Sequence, residues 1–159
     1  MVTSTTLKDQ LEAKIRAIDE LTAGVSDDAA SRVPVEGEWC VKEVLSHLAG
    51  SETRSFYDGI RLFLEEDTPE YPIVPGDSHF DASREGTSVQ ELRENVLGQY
   101  RQIADLIGGL SEEQLGRKAY MPAFKETPLG DSPTLGLWVG GIVNYHLPSH
   151  IEQLQTLCK

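Results

Sequence analysis

An all-α four-helix bundle with one long crossover link is the architecture this sequence predicts, and three observations predict it. Apolar residues recur at three- and four-residue steps in four separate stretches, no stretch of useful length alternates apolar with polar residues, and a proline-rich link separates the second stretch from the third. A chain of 159 residues can bury a continuous core without disulfide or metal staples, so a single domain over residues 1–159 is expected.

The first helix is carried by Leu7, Leu11, Ile15, Ile18 and Leu21, with Lys, Asp and Glu on its other faces, and ends near Gly24. Residues 25–38 hold the Ser, Asp, Pro and Gly typical of a connection. A second helix is predicted from about Trp39, its stripe running through Val41, Val44, Leu45, Leu48, Phe56, Ile60 and Phe63 until Asp67 and Pro69 stop it. The link from Thr68 to Thr87 is long enough to cross a bundle. Ser88 and Glu91 match a capping box, and Val89, Leu92, Val96, Tyr100, Ile103, Ile107 and Leu110 follow at helical spacing.

A short turn over Ser111–Leu115 and a loop with Pro122, Pro128, Gly130 and Pro133 lead to a last helix over Thr134–Leu157. Gly140 and Gly141 weaken that helix and permit a neighbouring backbone to approach, while Pro148 should kink or split it. The segments VSDDAASR and LSEEQLGR echo each other after the first and third helices. The echo fits a duplicated hairpin, and it fits equally a serine capping a short helical turn twice.

Composition excludes several classes of function. Fourteen basic against 26 acidic residues give a formal charge of −12, which repels phosphate backbones and anionic lipid, so no nucleic-acid or membrane partner is expected. No run approaches the roughly 18 apolar residues of a membrane span, and the first residues lack a secretory apolar region, so a cytoplasmic location is expected. Cys40 and Cys158 are outside any CxxC spacing and are read as free thiols.

The chemistry rests on histidines. His146 and His150 are four apart, so on a helix they point about 40° from each other, one turn apart on one face, among Val139, Ile142, Val143 and Leu157. Inward imidazoles at this spacing are either satisfied core histidines or metal ligands, and spacing alone leaves both open. His47, at the border of the second helix's apolar stripe, suits a surface or cap role by itself. Taken together, three imidazoles from two helices form the donor set of an open zinc-type site with a position left for water or substrate. His79, in the context GDSHFD, is expected to be exposed and is left out. Trp39, Tyr57, Trp138 and Tyr145 could line a pocket near the site, but such aromatics are usually core and are assigned no role.

The run Trp39-Cys40-Val41-Lys42-Glu43-Val44-Leu45-Ser46-His47-Leu48 resembles the W-[ST]-x-x-[ED]-x-x-x-H-L block of the DinB/YfiT-like family, and YHLPSHIEQL resembles its closing H-x-x-x-H block. The order and spacing agree over nearly the whole chain. The resemblance implies a four-helix bundle with a long crossover, often a homodimer, in which His47, His146 and His150 bind zinc, nickel or a similar divalent metal. Two positions depart from the pattern. Cys40 replaces the usual Ser or Thr cap, and is either a tolerated substitution or a thiol activated by the helix N-terminus. Pro148 stands between two of the ligands and puts their geometry in question.

Relatives in such a family include enzymes that transfer a low-molecular-weight thiol to an electrophile, or isomerise a substrate with its help. The resemblance thus implies a metal-dependent thiol S-transferase or isomerase acting on a small-molecule substrate, with Glu43, one turn before His47, a weak candidate for supporting a ligand. The competing class is a non-catalytic metal- or ligand-binding module linked to stress. No Ser-His-Asp order, phosphate loop or carboxylate pair offers a further mechanism.

Overall fold

The computed structural model describes residues 3–159. Helix α1 (Ser4–Thr22) is capped by Thr3, whose hydroxyl accepts from the Thr6 amide at 3.1 Å, and it buries Leu7, Leu11, Ile15 and Ile18. Each such side chain removed from water stabilises the fold by about 1.5–3 kcal/mol. Gly24, at φ +75°, turns the chain away where the helix was expected to end. A single turn, α2 (Asp27–Ala30), follows under a Ser26 cap.

The predicted second helix is two helices, α3 (Val41–Ala49) and α4 (Phe56–Glu65). The expectation of one continuous stripe is corrected at Gly50, which has φ +80° and ψ −175° and leaves no room for a side chain, because a Cβ there would sit 3.2 Å from Arg54 O and Phe56 N. The Ser51 hydroxyl accepts from the Arg54 amide at 3.0 Å, and Ser55 with Asp58 forms a full capping box that restarts the helix. Phe56, Ile60 and Phe63 fall back on the stripe's phase by packing, so periodicity alone concealed the break.

The crossing link contains a short turn, α5 (Ala82–Glu85). Helix α6 (Val89–Gly108) starts where predicted, with the Ser88 hydroxyl accepting from the Glu91 amide at 3.1 Å. Asp27 ties three elements together: its carboxylate accepts from the Val89 amide at 2.8 Å and meets the buried Lys42 ammonium at 2.9 Å. Turn α7 (Glu112–Leu115) is capped by Ser111, so both halves of the sequence echo are serine-capped turns.

The last helix is unbroken but changes type along its length: α8 (Leu135–Gly141), a π-helical segment (Ile142–His146) and α9 (Leu147–Leu157). Pro148 does not split it. Gly141, Ile142, His146 and Leu147 all keep right-handed helical dihedrals, and the Leu147 amide bonds to the Ile142 carbonyl, five residues back. Pro148 follows this wider turn at the second position of α9, where the missing N–H costs little. The expected close backbone approach at the glycines is also corrected: a Cβ on Gly140 would meet nothing within 4 Å, and one on Gly141 would meet only the Leu129 side chain at 3.4 Å.

The four helices of the bundle are thus α1, the α3–α4 pair, α6 and the α8–α9 rod. The broadest interface is between α1 and α6, with α3 set against α6 and α9. One continuous apolar cluster runs from Leu7 to Leu154. Among the described residues there is no strand, only isolated bridges such as Glu70 with Tyr120, and no helix is long and apolar enough to cross a membrane.

Candidate metal centre

His47 projects from the last turn of α3, His146 closes the π segment and His150 follows one turn into α9. Packing of α3 on α9 brings the three together, with ligand nitrogens all within 4.8 Å of one another. Ring centroids are 4.7 Å apart for His47–His150 and for His146–His150, and 5.1 Å for His47–His146.

Hydrogen bonding sets which nitrogen each ring offers. His47 Nδ1 donates to the Asp77 carbonyl at 2.7 Å, and His150 Nδ1 lies 3.0 Å from the Gln153 side-chain oxygen, so in both rings the lone pair is on Nε2. The His47 and His146 Nε2 atoms are 2.9 Å apart, while His146 Nδ1 is buried without a partner. Two lone pairs cannot face each other at that distance unless a proton or a cation lies between or beside them. In the metal-free protein the Nε2–H of neutral His146 supplies that proton to His47 Nε2, and burial opposes a second proton on the ring. Burial pushes the His146 pKa down from 6.5 to about 3, with His150 and His47 adding repulsion. Burial lowers His47 too, against the pull of the Asp77 carbonyl, and lowers His150 against that of Gln153. Three neutral imidazoles this close fit one divalent ion, whose bonds to such nitrogens are about 2.0–2.1 Å, after small side-chain rotations.

Other residues around the triad were not assigned from sequence. Trp39 stacks on His150 at 6.1 Å with planes 6° apart and tilts against His47 at 5.0 Å. His79, expected to be exposed, is only 27% exposed and stacks 6.5 Å from His47, its Nδ1 3.3 Å from the Asp77 carboxylate. Asp77 also accepts from the His79 amide at 2.8 Å, holding His79 at φ +53°. The D-S-H spacing of GDSHFD is the one signal that could have marked this turn, since Asp commonly bonds the amide two residues on.

The surroundings of Glu43 and Cys40 decide between the alternatives left open for each. Glu43 does not support a ligand: its carboxylate accepts from the Cys40 amide at 2.8 Å, as the far half of a cap. Cys40 is not an activated thiol, because it is buried at 3% exposure and desolvation raises its pKa. The tolerated-substitution reading is the one its surroundings support.

The triad opens on a cleft of about 1670 Å³. Trp39, Trp138 and Tyr145 line it, and Tyr57 does not.

Comparison with known proteins agrees with this architecture. The structure of YfiT from Bacillus subtilis, described as a probable metal-dependent hydrolase with an unusual four-helix bundle topology, superposes with a TM-score of 0.77 at 22% identity. The match covers 97% of this chain and 85% of that one. The uncharacterized protein YuaE of Bacillus subtilis (strain 168) is 23% identical over 163 aligned positions, covering 92% of this chain and 93% of YuaE. Residues 10–154 match the sequence model of the DinB superfamily, and the chain therefore belongs to that superfamily.

Proposed function

We propose that this protein is a divalent-metal-dependent enzyme in which a low-molecular-weight thiol attacks an electrophilic small molecule held in the cleft. The observation that carries the reading is the placement of three imidazoles, kept neutral by burial, on the wall of a cleft of about 1670 Å³. That open cleft leaves room for a small molecule beside the ion.

His47, His146 and His150 would hold the ion, and imidazole donors suit zinc or nickel. When bound, such an ion keeps its full positive charge on neutral ligands and lowers the pKa of a thiol or water beside it, supplying a nucleophile at neutral pH. The protein's own groups do the rest. The Asp77 carbonyl and Gln153 fix two imidazole tautomers, Trp39 fixes the plane of His150, and the apolar walls exclude water from the reacting groups. The reaction balances as thiol plus R–X giving thioether plus HX: a C–S bond forms, the C–X bond breaks, and X leaves with the bonding pair. A cytoplasmic setting, where small thiols stay reduced, suits this chemistry.

A second reading, hydrolysis with water as nucleophile, is favoured by the Asp77–His79 pair beside His47 and by the description of YfiT. One experiment separates them. Zinc- or nickel-loaded protein is given glutathione or cysteine with chlorodinitrobenzene, and separately p-nitrophenyl acetate, beside the variant carrying His47→Ala, His146→Ala and His150→Ala. Thiol consumption above free metal, abolished in the variant, supports transfer; ester cleavage without thiol consumption replaces it with hydrolysis. Metal uptake with neither activity identifies a non-catalytic binding module.

A further inference from the structure

The cleft carries information about its occupant beyond the metal centre. Its walls are largely apolar, with Leu48, Phe56, Ile73, Leu129, Trp138 and Ile142 among them. The apolar character continues past the mouth, because Val74, Leu137 and Tyr145 line the cleft and are 70%, 50% and 79% exposed. Between wall and mouth, α8 presents bare backbone at Gly140, where a Cβ would meet nothing within 4 Å. The cleft is deepened there by one side chain's width.

Among the described residues Arg54 is the only lysine or arginine lining this space, where the carboxylates are those of Asp77, beside His79, and Glu112. Arg54 is exposed and, among the described residues, has no ion-pair partner, and its guanidinium donates to no protein group. It lies instead over the Tyr71 ring, 5.7 Å from the centroid. Stacking of this kind fixes the planar fork and leaves its edge donors free for a carboxylate. The platform is itself built in. Tyr71 packs edge-on against Trp138 at 5.1 Å, and its hydroxyl occupies the space a side chain on Gly59 would need, 2.1 Å from a Cβ there.

We propose that the cleft binds an elongated apolar acid, with its single carboxylate on the free edge of Arg54 and its apolar body along Gly140 and the aromatic wall. The assignment rests on reading the histidine triad as the reactive end of the same cleft. Arg54 is a specificity-determining residue in this arrangement, since an apolar cleft alone would not distinguish an acid from an alcohol.

Dodecanoate, dodecanol and dodecyltrimethylammonium are titrated into the protein at physiological ionic strength, followed by tryptophan fluorescence from Trp39 and Trp138. The acid is expected to bind about tenfold or more tighter than the alcohol, as one charge-assisted pair provides, and the ammonium most weakly. Arg54→Gln should reduce the acid to the alcohol's affinity, and Arg54→Lys should retain part of the preference. Gly140→Leu, which gains helix propensity and has space for its side chain, should weaken acid and alcohol alike while circular dichroism is unchanged. Each titration is repeated on metal-free protein and on the triple histidine variant. Both should still bind dodecanoate, so failure of the metal centre and failure of the acid site are read separately. Equal affinity for the three probes, binding of none, or an unaltered preference in Arg54→Gln overturns the proposal. So does a dimer by sedimentation that Leu137→Ser and Tyr145→Ser dissociate and dodecanoate does not, which would make a second copy the occupant.

Discussion

The Nε2 atoms of His47 and His146 lie 2.9 Å apart across a sequence separation of 99 residues, with the outer nitrogen of His146 buried and unpartnered. The arrangement is costly to a protein without a cation, because when the His146 Nε2–H donates to His47 the Nδ1 lone pair of His146 stays buried and unmet. An arrangement that lowers stability locally and is relieved by a ligand is expected at a binding site.

His146→Leu should therefore separate stability from metal binding. Removing a buried unsatisfied nitrogen gains on the order of 1–3 kcal/mol and losing the bond to His47 Nε2 gives back about 0.5–1.5 kcal/mol, so the variant should melt at or above the parent when both are metal-free. Zinc should raise the melting temperature of the parent and leave the variant unchanged. Scanning calorimetry with chelator and with zinc checks both halves, and a metal-free variant less stable than the parent would contradict the account.

Metal-free protein should lose stability in mild acid. The pKa of His146 falls from 6.5 in the unfolded chain to about 3 when folded, and those of His47 and His150 are lowered too. Between those values the unfolded state binds more protons, so this contribution is full above pH 6.5 and is lost as pH falls toward 3. From His146 alone the loss should reach about 3 kcal/mol by pH 4. Urea midpoints measured from pH 7.5 to 4 should fall more steeply in the parent than in His146→Leu.

Arg84 anchors the crossing link to the helix that carries His47, donating to the Ser46 carbonyl at 3.0 Å and to its hydroxyl at 2.9 Å. The same link supplies the Asp77 carbonyl that orients His47. Arg84→Met should leave the helices intact and weaken zinc binding about tenfold or more, the usual scale for a support around a ligand. Competition against a chromogenic chelator measures this, and unchanged affinity would show that Asp77 holds its place without Arg84.

Gly59→Ala adds one methyl where the Tyr71 hydroxyl and ring already lie, 2.1 and 2.4 Å away. The ring must leave its place against Trp138, so the expected cost is about 1–3 kcal/mol in urea unfolding, against the small gain that alanine brings to an open helical site.

Helix positions were legible wherever the local signals were complete. Ser88–Leu110 announced itself by spacing and a serine cap, and Thr134–Leu157 by its apolar face, because these signals act within one or two turns of chain. The break at Gly50 was missed because packing returns α4 to the same stripe, and the outcome at Pro148 because a π turn absorbs a proline without breaking the rod. The histidines were legible as donors. His79 and Asp77 were not, since a turn in a link has no periodicity to read, and Gln153 was not, since its bond to His150 depends on side-chain placement within α9.

By itself the sequence determined the helical class, the crossover, the acidic surface and the three imidazoles that could share an ion, because periodicity, capping and charge are properties of neighbouring residues. Only the tertiary structure decided that those imidazoles converge, that burial keeps them neutral, that a long link supplies the carbonyl orienting one of them, and that Arg54 stands without a partner on an apolar cleft. These depend on distances between residues far apart in the chain and on exclusion of water, which exist only once the helices have packed.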